Sequence, residues 1–275
     1  MKVSSWISVE EARAAMETGT GRGIKIAVID SGIEIDHPDL AGLQLSDDVH
    51  VIGDDLQLQV RPGDGTDLFG HATAIAAIIH SLAPEAQIGS FRVLNENNSS
   101  RTQIICEGVN LALERGYKIL NCSFGCGVAD HIHQYKAWID QAYLKGVHVV
   151  AACNNEDFTK PEWPGYFPSV ITVNYGHVEQ AEDIFFKPGH LVEFVARGAD
   201  FEAAWKGKKR RRLYGSSFAA PHGAALLARI LSVYPDLAPL QAKSLLHQLA
   251  KPWIGAAVPA GVQMGRAAPQ MGRPA

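Results

Sequence analysis

The stretch YGSSFAAPHGAALL, residues 214–227, joins two hydroxyl side chains to an apolar segment with helical spacing. Ser216 and Ser217 follow a glycine, and Pro221 is typical of the first turn of a helix. The apolar residues that follow predict a helix buried in the core. Ser217 at its start can cap the helix, or it can be a nucleophile whose developing charge faces the helix N-terminus.

The composition indicates the general class of protein. The 275 residues are 47% hydrophobic and 20% charged, which is typical of a soluble globular protein. A net charge of -4 predicts no nucleic-acid partner. A membrane-spanning helix requires an apolar run of about 18 residues. No run in this sequence is that long, so we expect no membrane partner. The start of the chain lacks the apolar core of a secretory signal, so the four cysteines are expected to be reduced thiols of a cytoplasmic protein.

Strand-like and helix-like segments alternate along the chain. Continuous apolar runs predict strands, and amphipathic or apolar segments that end near glycine predict helices. The strands are expected at 23–30, 86–94, 117–125, 147–153 and 169–175, and the helices at 71–83, 101–116 and 133–146. This alternation predicts an α/β fold, a three-layer α/β/α sandwich with a mostly parallel central sheet. We expect a short N-terminal extension (1–21), one domain (22–254) and a loosely docked Gly/Pro/Ala-rich tail (255–275).

Three polar residues stand where such sheets carry function. Asp30 ends the first strand, His71 begins an apolar helix, and Ser217 begins another. Singly, each has a structural interpretation: a turn-forming Asp, a core or capping His, and an N-cap Ser. Together they supply an orienting carboxylate, a base and a hydroxyl nucleophile, which is the set that acyl transfer requires.

The motifs around these residues resemble those of the subtilisin-like serine proteases, or subtilases. AVIDSGIEIDHPDL (27–40) is similar to the Asp motif, GHATAIAAI (70–78) to the His motif, and GSSFAAPHGAA (215–225) to the Ser motif. The resemblance implies that Asp30 orients His71, that His71 is the general base and then the general acid, and that Ser217 forms the acyl-enzyme. Ser216 takes the place of the family's usual Thr.

The resemblance extends to the oxyanion site and the substrate cleft. VVAACNNED (149–157) is similar to the segment with the oxyanion-binding Asn, which implies Asn155, with Asn154 as the competing assignment. The Ser217 backbone N–H would be the second donor. Ser217 Oγ is expected about 3 Å from His71 Nε2, or further away without substrate. ILNCSFG (119–125) and WPGYFPSVITV (163–173) resemble the cleft strand and the specificity-pocket segment. The implied substrate-binding residues are Ser123, Phe124, Gly125, Ala152, Glu156 and Gly165.

Several positions depart from the family pattern. The His motif usually reads His-Gly-Thr-His, whereas here Ala72 and Ala74 replace the Gly and the second His. The calcium-binding loop that many subtilases insert after this helix is absent, and we predict no metal and no cofactor. The acidic residues have no ordered ligand spacing and are interpreted as solvated loops. They are Asp47, Asp48, Asp54, Asp55, Asp64 and Asp67.

Charge and cysteine placement add three expectations. KGKKRRR (206–212) is interpreted as a solvated loop, with docking of an acidic partner or self-cleavage as alternatives. Glu156 at the pocket rim would favour Lys or Arg in the substrate. The cleft cysteines are interpreted as small apolar fillers, and they are Cys122, Cys126 and Cys153.

The function predicted from these motifs is a serine endopeptidase that acts on a peptide or protein substrate. The catalytic block begins near residue 22, which leaves no room for a large propeptide and favours a specialised intracellular processing protease. The alternative is a pseudoprotease that binds peptides without cutting them. A dinucleotide-binding function is not supported, because it requires a glycine-rich loop directly after the first strand. The glycine-rich segment GTGRG (19–23) precedes that strand.

Overall fold

The computed structural model describes residues 6–53 and 57–254. Six helices are found there: α1 (Val9–Thr18), α2 (His71–Leu82), α3 (Thr102–Glu114), α4 (Ile132–Leu144), α5 (Ser216–Val233) and α6 (Pro239–Leu249). Short 3₁₀ turns occur at Pro38–Leu40 and Ala129–His131. None of the helices in the described ranges is long and apolar enough to cross a membrane. The predicted tail (255–275) lies outside the described residues.

A ten-stranded sheet forms the centre of the molecule. Its strands are β1 (Lys25–Asp30), β2 (Asp47–Gly53), β3 (Leu58–Pro62), β4 (Gln87–Arg92), β5 (Ile119–Cys122), β6 (His148–Ala151), β7 (Ile171–Gly176), β8 (Phe185–Phe186), β9 (Phe194–Arg197) and β12 (Lys251–Pro252). Their order is β12-β8-β9-β7-β6-β5-β1-β4-β2-β3, and the seven strands from β9 to β2 are parallel.

Side chains alternate across this sheet and divide the core in two. In β1, Ile26 and Val28 pack in the core half that contains α1, α2, α5 and α6. Ala27 and Ile29 pack in the other half, with α3 and α4. Both faces of the sheet are therefore covered, which explains why its strands read as continuous apolar runs. The predicted three-layer α/β/α fold is confirmed.

Helix α1 lies within the segment predicted as an N-terminal extension. It begins with a capping box, in which Glu11 N donates to Ser8 Oγ (3.1 Å) and Ser8 N donates to Glu11 Oε2 (2.7 Å). Ala12 and Ala15 are buried in the same core half as α5. The helix is thus packed into the domain.

The basic segment 206–212 forms part of a β-hairpin, so its interpretation as a loop is wrong for 209–212, which are strand, while 206–208 form the turn. Strand β10 (Ala199–Trp205) pairs antiparallel with β11 (Lys209–Tyr214). Three of the six cations in the segment pair with carboxylates, which lowers the repulsion within this basic hairpin. Lys208 pairs with Asp36 at 2.6 Å, and Arg210 and Arg212 pair with carboxylates of Asp39 and Asp200.

His222 on α5 is a buried histidine with one hydrogen bond. Its Nδ1–H donates to Ala181 O (2.8 Å), while Nε2 is buried without a partner among the described residues. Burial lowers the pKa of His222 to about 4, with a smaller contribution from the Arg197 charge and opposed by the Ala181 hydrogen bond. Protonation of His222 is therefore unfavourable in the folded protein.

The pKa of His222 predicts acid destabilisation. The folded pKa lies below the unfolded value of about 6.5, so the stability is full above that pH and is lost as the pH falls towards about 4. The free energy of unfolding of the wild type falls between neutral pH and a pH of about 4. We expect this fall to be smaller by roughly 2–3 kcal/mol in His222→Gln, which has no imidazole to protonate. Urea unfolding in a Ser217→Ala background, which guards against self-digestion, measures it. The same loss in His222→Gln as in the exposed control His133→Gln would contradict the assignment.

Candidate active site

Asp30 and His71 form a hydrogen-bonded pair that is closed to solvent. Asp30 ends β1 and His71 begins α2, and both side chains are 0% exposed. His71 Nδ1 lies 2.9 Å from each carboxylate oxygen of Asp30. Because an ionised carboxylate only accepts, Nδ1 carries the proton in this pair, which leaves Nε2 as the basic nitrogen. Nε2 is buried and has no hydrogen-bond partner in the described part of the chain.

The buried carboxylate of Asp67 holds the start of α2. Its Oδ1 accepts hydrogen bonds from Ser31 Oγ (2.7 Å) and from the backbone N–H groups of Phe69 (2.9 Å) and Gly70 (2.6 Å). Its Oδ2 accepts from Thr73 N (2.9 Å) and Thr73 Oγ1 (2.7 Å). Asp67 thus satisfies three N–H groups at the helix start, and Ser31 Oγ accepts from a fourth, Ala72 N, at 3.2 Å, which fixes His71 relative to β1.

The interpretation of the acidic residues as solvated loops is wrong for Asp67, which is 6% exposed. The other described members of that set also have structural partners: Asp47 with Arg115 and Tyr117, Asp48 with Gly65 N, and Asp64 with Arg92. Asp54 and Asp55 lie outside the described residues. A carboxylate just before an apolar helix is a capping signal that could have identified Asp67 from the sequence. No group of three or more His, Cys, Asp or Glu able to hold a metal ion occurs within 6–53 and 57–254.

Ser217 is the second residue of α5 and lies against the end of β5. It is 2% exposed, and its Oγ–H donates to Ser123 O at 3.0 Å. No hydrogen bond joins Ser217 Oγ to His71 Nε2 in this conformation, so the looser of the two expected arrangements is the one found. The physical reason is a competing acceptor, because the Ser123 carbonyl is within reach of a hydroxyl that rotates about χ1. The next residue, Phe218, packs edge-on against the His71 ring, with centroids 5.1 Å apart.

Pro221 ties the Ser217 backbone to the cleft. It lies inside α5, at the sixth residue, rather than in the first turn as predicted. Since proline has no N–H, the Ser217 carbonyl four residues earlier loses its helical donor. Ser123 Oγ replaces it, donating to Ser217 O at 2.8 Å and accepting from Asn121 Nδ2 at 2.9 Å. The two serines therefore bond reciprocally across the end of the sheet.

The neighbouring serine is occupied elsewhere. Ser216 Oγ donates to Cys153 O (2.7 Å) and accepts from Cys153 N (3.2 Å), so Ser216 joins α5 to the segment after β6. The cleft cysteines are buried free thiols. Burial raises the pKa of Cys122 and Cys126, and it raises that of Cys153 to about 12. Such thiols are poor nucleophiles, in agreement with their interpretation as apolar fillers.

The two candidate asparagines have different surroundings. Both polar atoms of the Asn154 amide are occupied: Nδ2 donates to Glu162 Oε1 (2.6 Å), and Oδ1 accepts from the N–H groups of Glu156 and Asp157. Asn155 Oδ1 accepts from Ser216 N at 2.7 Å, so its amide group lies at the start of α5. Its Nδ2 donates to no group of the described residues. This geometry favours Asn155 over Asn154 as a donor to a charge at Ser217.

The predicted cleft segments meet beside these groups. Ala152 N donates to Cys122 O (3.1 Å), and a Cβ on Gly165 would lie 2.3 Å from Ala152 O, so their backbones are in close contact. Cys126 and Trp163 form an antiparallel bridge with two N–H···O distances of 2.9 Å. Glu156 is exposed. The Phe124 side chain is 1% exposed and belongs to the core, so only its backbone is available to a peptide.

The comparisons with known proteins agree with this geometry. A model of the Subtilase family matches residues 21–266. The chain belongs to the subtilase family of serine endopeptidases. Thermitase from Thermoactinomyces vulgaris is 30% identical over 225 residues, which cover 81% of this chain and 80% of thermitase. The "Intracellular serine protease" of Paenibacillus polymyxa is 31% identical over 236 residues, which cover 82% of this chain and 71% of that protein.

Among solved structures, Sphericase is similar with a TM-score of 0.70 and 24% identity, covering 90% of this chain and 91% of that one. A cold-adapted subtilisin-like serine proteinase is similar with a TM-score of 0.67 and 23% identity, covering 84% of this chain and 83% of that one. The family and the enzyme class inferred from the motifs are confirmed.

The role of Asp67 at the start of α2 is testable by unfolding. In a Ser217→Ala background we expect Asp67→Asn to lower the free energy of unfolding by roughly 2–4 kcal/mol, because an amide nitrogen would then face buried donors. Asp64→Asn is the matched control. Its side chain is 62% exposed, so we expect a loss below about 1 kcal/mol. Equal losses in urea unfolding would show that Asp67 does not hold the helix start.

Proposed function

We propose that this subtilase cleaves peptide bonds through Asp30, His71 and Ser217. The observation that carries the proposal is the buried Asp30–His71 pair, whose Nε2 has no partner in the described structure and whose helix lies beside that of Ser217. In the proposed first step, the Ser217 hydroxyl rotates away from Ser123 O and gives its proton to His71 Nε2 as Oγ attacks the substrate carbonyl. Asp30 stays ionised and stabilises the imidazolium.

The negative charge of the tetrahedral intermediate would be stabilised at the start of α5. Asn155 Nδ2 is available because its Oδ1 is anchored on Ser216 N, and the Ser217 N–H is among the first N–H groups of the helix, which lack helical partners. Loss of one such donor typically lowers kcat by about 10²–10³. His71 then returns the proton to the leaving amine, and water hydrolyses the acyl-enzyme by the same route in reverse.

We further propose that the enzyme is an intracellular processing protease in the cytoplasm. Two of its relatives are named as intracellular, the Paenibacillus polymyxa protease and the "Major intracellular serine protease" of Bacillus subtilis, which is 32% identical over 225 residues. All four cysteines are free, which suits a reducing compartment. Docking of an acidic partner at 206–212 stays a prediction, and three of the cations there already have carboxylate partners.

The experiment that tests the proposal is labelling with a fluorophosphonate probe, which reacts only with an activated serine. We expect the purified protein and Ser216→Ala to be labelled, and Ser217→Ala and His71→Ala to lose the label. The physical reason is that His71 Nε2, which has no other partner in the described structure, is the base proposed to deprotonate Ser217. The Ser216 hydroxyl instead donates to Cys153 O. In-gel fluorescence and peptide mapping of the adduct give the result.

The variants Ser216→Ala and Ser217→Ala are matched controls for each other, because each removes one hydroxyl from the same turn of α5. Loss of label in Ser216→Ala with retention in Ser217→Ala would move the nucleophile by one residue. Correctly folded wild-type protein that takes no label would favour the peptide-binding pseudoprotease instead.

A further inference from the structure

The carboxylate of Glu162 lies between two cleft segments and was not among the predicted site residues. The antiparallel bridge between Cys126 and Trp163 places Glu162 opposite Gly127, and the Glu162 side chain extends from there to Gly125. A Cβ on Gly125 would lie 2.5 Å from Glu162 Oε2, and a Cβ on Gly127 would lie 4.0 Å from Glu162 Cγ. The side chain thus crosses the cleft strand at positions that have no side chain of their own.

The other carboxylate oxygen of Glu162 reaches the oxyanion segment. Oε1 accepts the hydrogen bond from Asn154 Nδ2 at 2.6 Å, and Asn154 directly precedes the proposed oxyanion donor. Glu162 therefore bridges the segments 123–125 and 152–156. In the proposed function these two segments flank the side chain of the P1 residue, whose carbonyl is attacked.

The Glu162 carboxylate forms no ion pair with any cation of the described residues. Its one hydrogen-bond partner, Asn154, is neutral, and no Lys, Arg or His in the described ranges lies within ion-pairing distance. Burial raises the pKa of Glu162, the Asn154 hydrogen bond opposes this, and the weaker effects of Glu156 and Lys160 have opposite signs. A half-buried carboxylate without a cation is stabilised by any cation brought to it.

We propose that Glu162 is a specificity-determining residue that selects lysine or arginine at P1. The inference rests on the proposed function, because it requires Ser217 to be the nucleophile of the same cleft. The ammonium or guanidinium group would approach Oε2 beside Gly125, while Asn154 holds Oε1. The exposed Glu156 adds to the negative potential, but solvent screens its contribution.

The test uses two peptidyl diphenyl phosphonates that differ only in their P1 side chain, lysine or the neutral norleucine. Each forms one covalent bond to the active serine with loss of phenol, so intact-mass kinetics report selectivity without turnover. We expect the wild type to react faster with the lysine reagent. Glu162→Gln should lower the lysine-to-norleucine ratio by about 10- to 100-fold, with the norleucine rate kept. The matched control Glu156→Gln should change the ratio less than about threefold.

Several outcomes would overturn the inference. They are a wild-type preference for norleucine, an unchanged ratio in Glu162→Gln, or no reaction with either reagent while a fluorophosphonate labels Ser217. Failure of the fluorophosphonate itself would locate the error in the proposed function. Glu162→Lys is a second variant, for which we expect rejection of the lysine reagent. Thermal unfolding of each variant confirms that it is folded.

Discussion

The structure depends on an ionised carboxylate, Asp30, that is removed from water at the end of a buried strand. Such a group is tolerated only where donors compensate for the lost hydration. The His71 Nδ1–H and the Ser31 N–H supply them, at 2.9 and 2.8 Å. The same requirement orients the imidazole, because a ring that donates through Nδ1 presents Nε2 as its basic atom. Asp67 makes the arrangement rigid, since it fixes both Ser31 and the first turn of α2.

The second half of the site is built around an interruption in α5. Pro221 removes the donor to the Ser217 carbonyl, and Ser123 at the end of β5 replaces it. The helix that carries the proposed nucleophile, Ser217, is thereby joined to the strand that is expected to pair with substrate. Ser216 makes a second junction, to Cys153 after β6. Three elements that are distant in sequence are thus held in register by a few hydrogen bonds, and Ser217 is left with a hydroxyl that can change partners.

The fold could be predicted from the sequence because its signals are local, whereas the proposed triad of Asp30, His71 and Ser217 rests on the resemblance of its motifs to those of the subtilases. Apolar runs show β1, β4 and β5, and the helices that begin at His71 and Ser216 follow glycines and polar residues. The misassigned features have different origins. Asp67 carries a local capping signal, because four of its five donors lie in residues 69–73 and only Ser31 Oγ comes from a distant segment. The basic hairpin depends on contacts between distant segments, with carboxylates from positions as far away as Asp36. Glu162 is brought to the cleft by the antiparallel bridge between Cys126 and Trp163, and no hydrophobic periodicity in the sequence predicts that bridge. The hydrogen bond from Ser217 Oγ to Ser123 O depends on the χ1 rotamer of Ser217, which cannot be predicted from the sequence.

The central claim is that the Ser217 hydroxyl moves from the Ser123 carbonyl to a bond-forming position governed by His71 and Asn155. A crystal structure of the protein inactivated by the lysine phosphonate tests it most directly. The account predicts phosphorus bonded to Ser217 Oγ, His71 Nε2 within hydrogen-bonding distance of that oxygen, and Asn155 Nδ2 about 3 Å from the phosphonyl oxygen. It also predicts the lysine ammonium beside Glu162. An adduct on another residue, or an Asn155 amide directed away from the phosphonyl oxygen, would contradict the account.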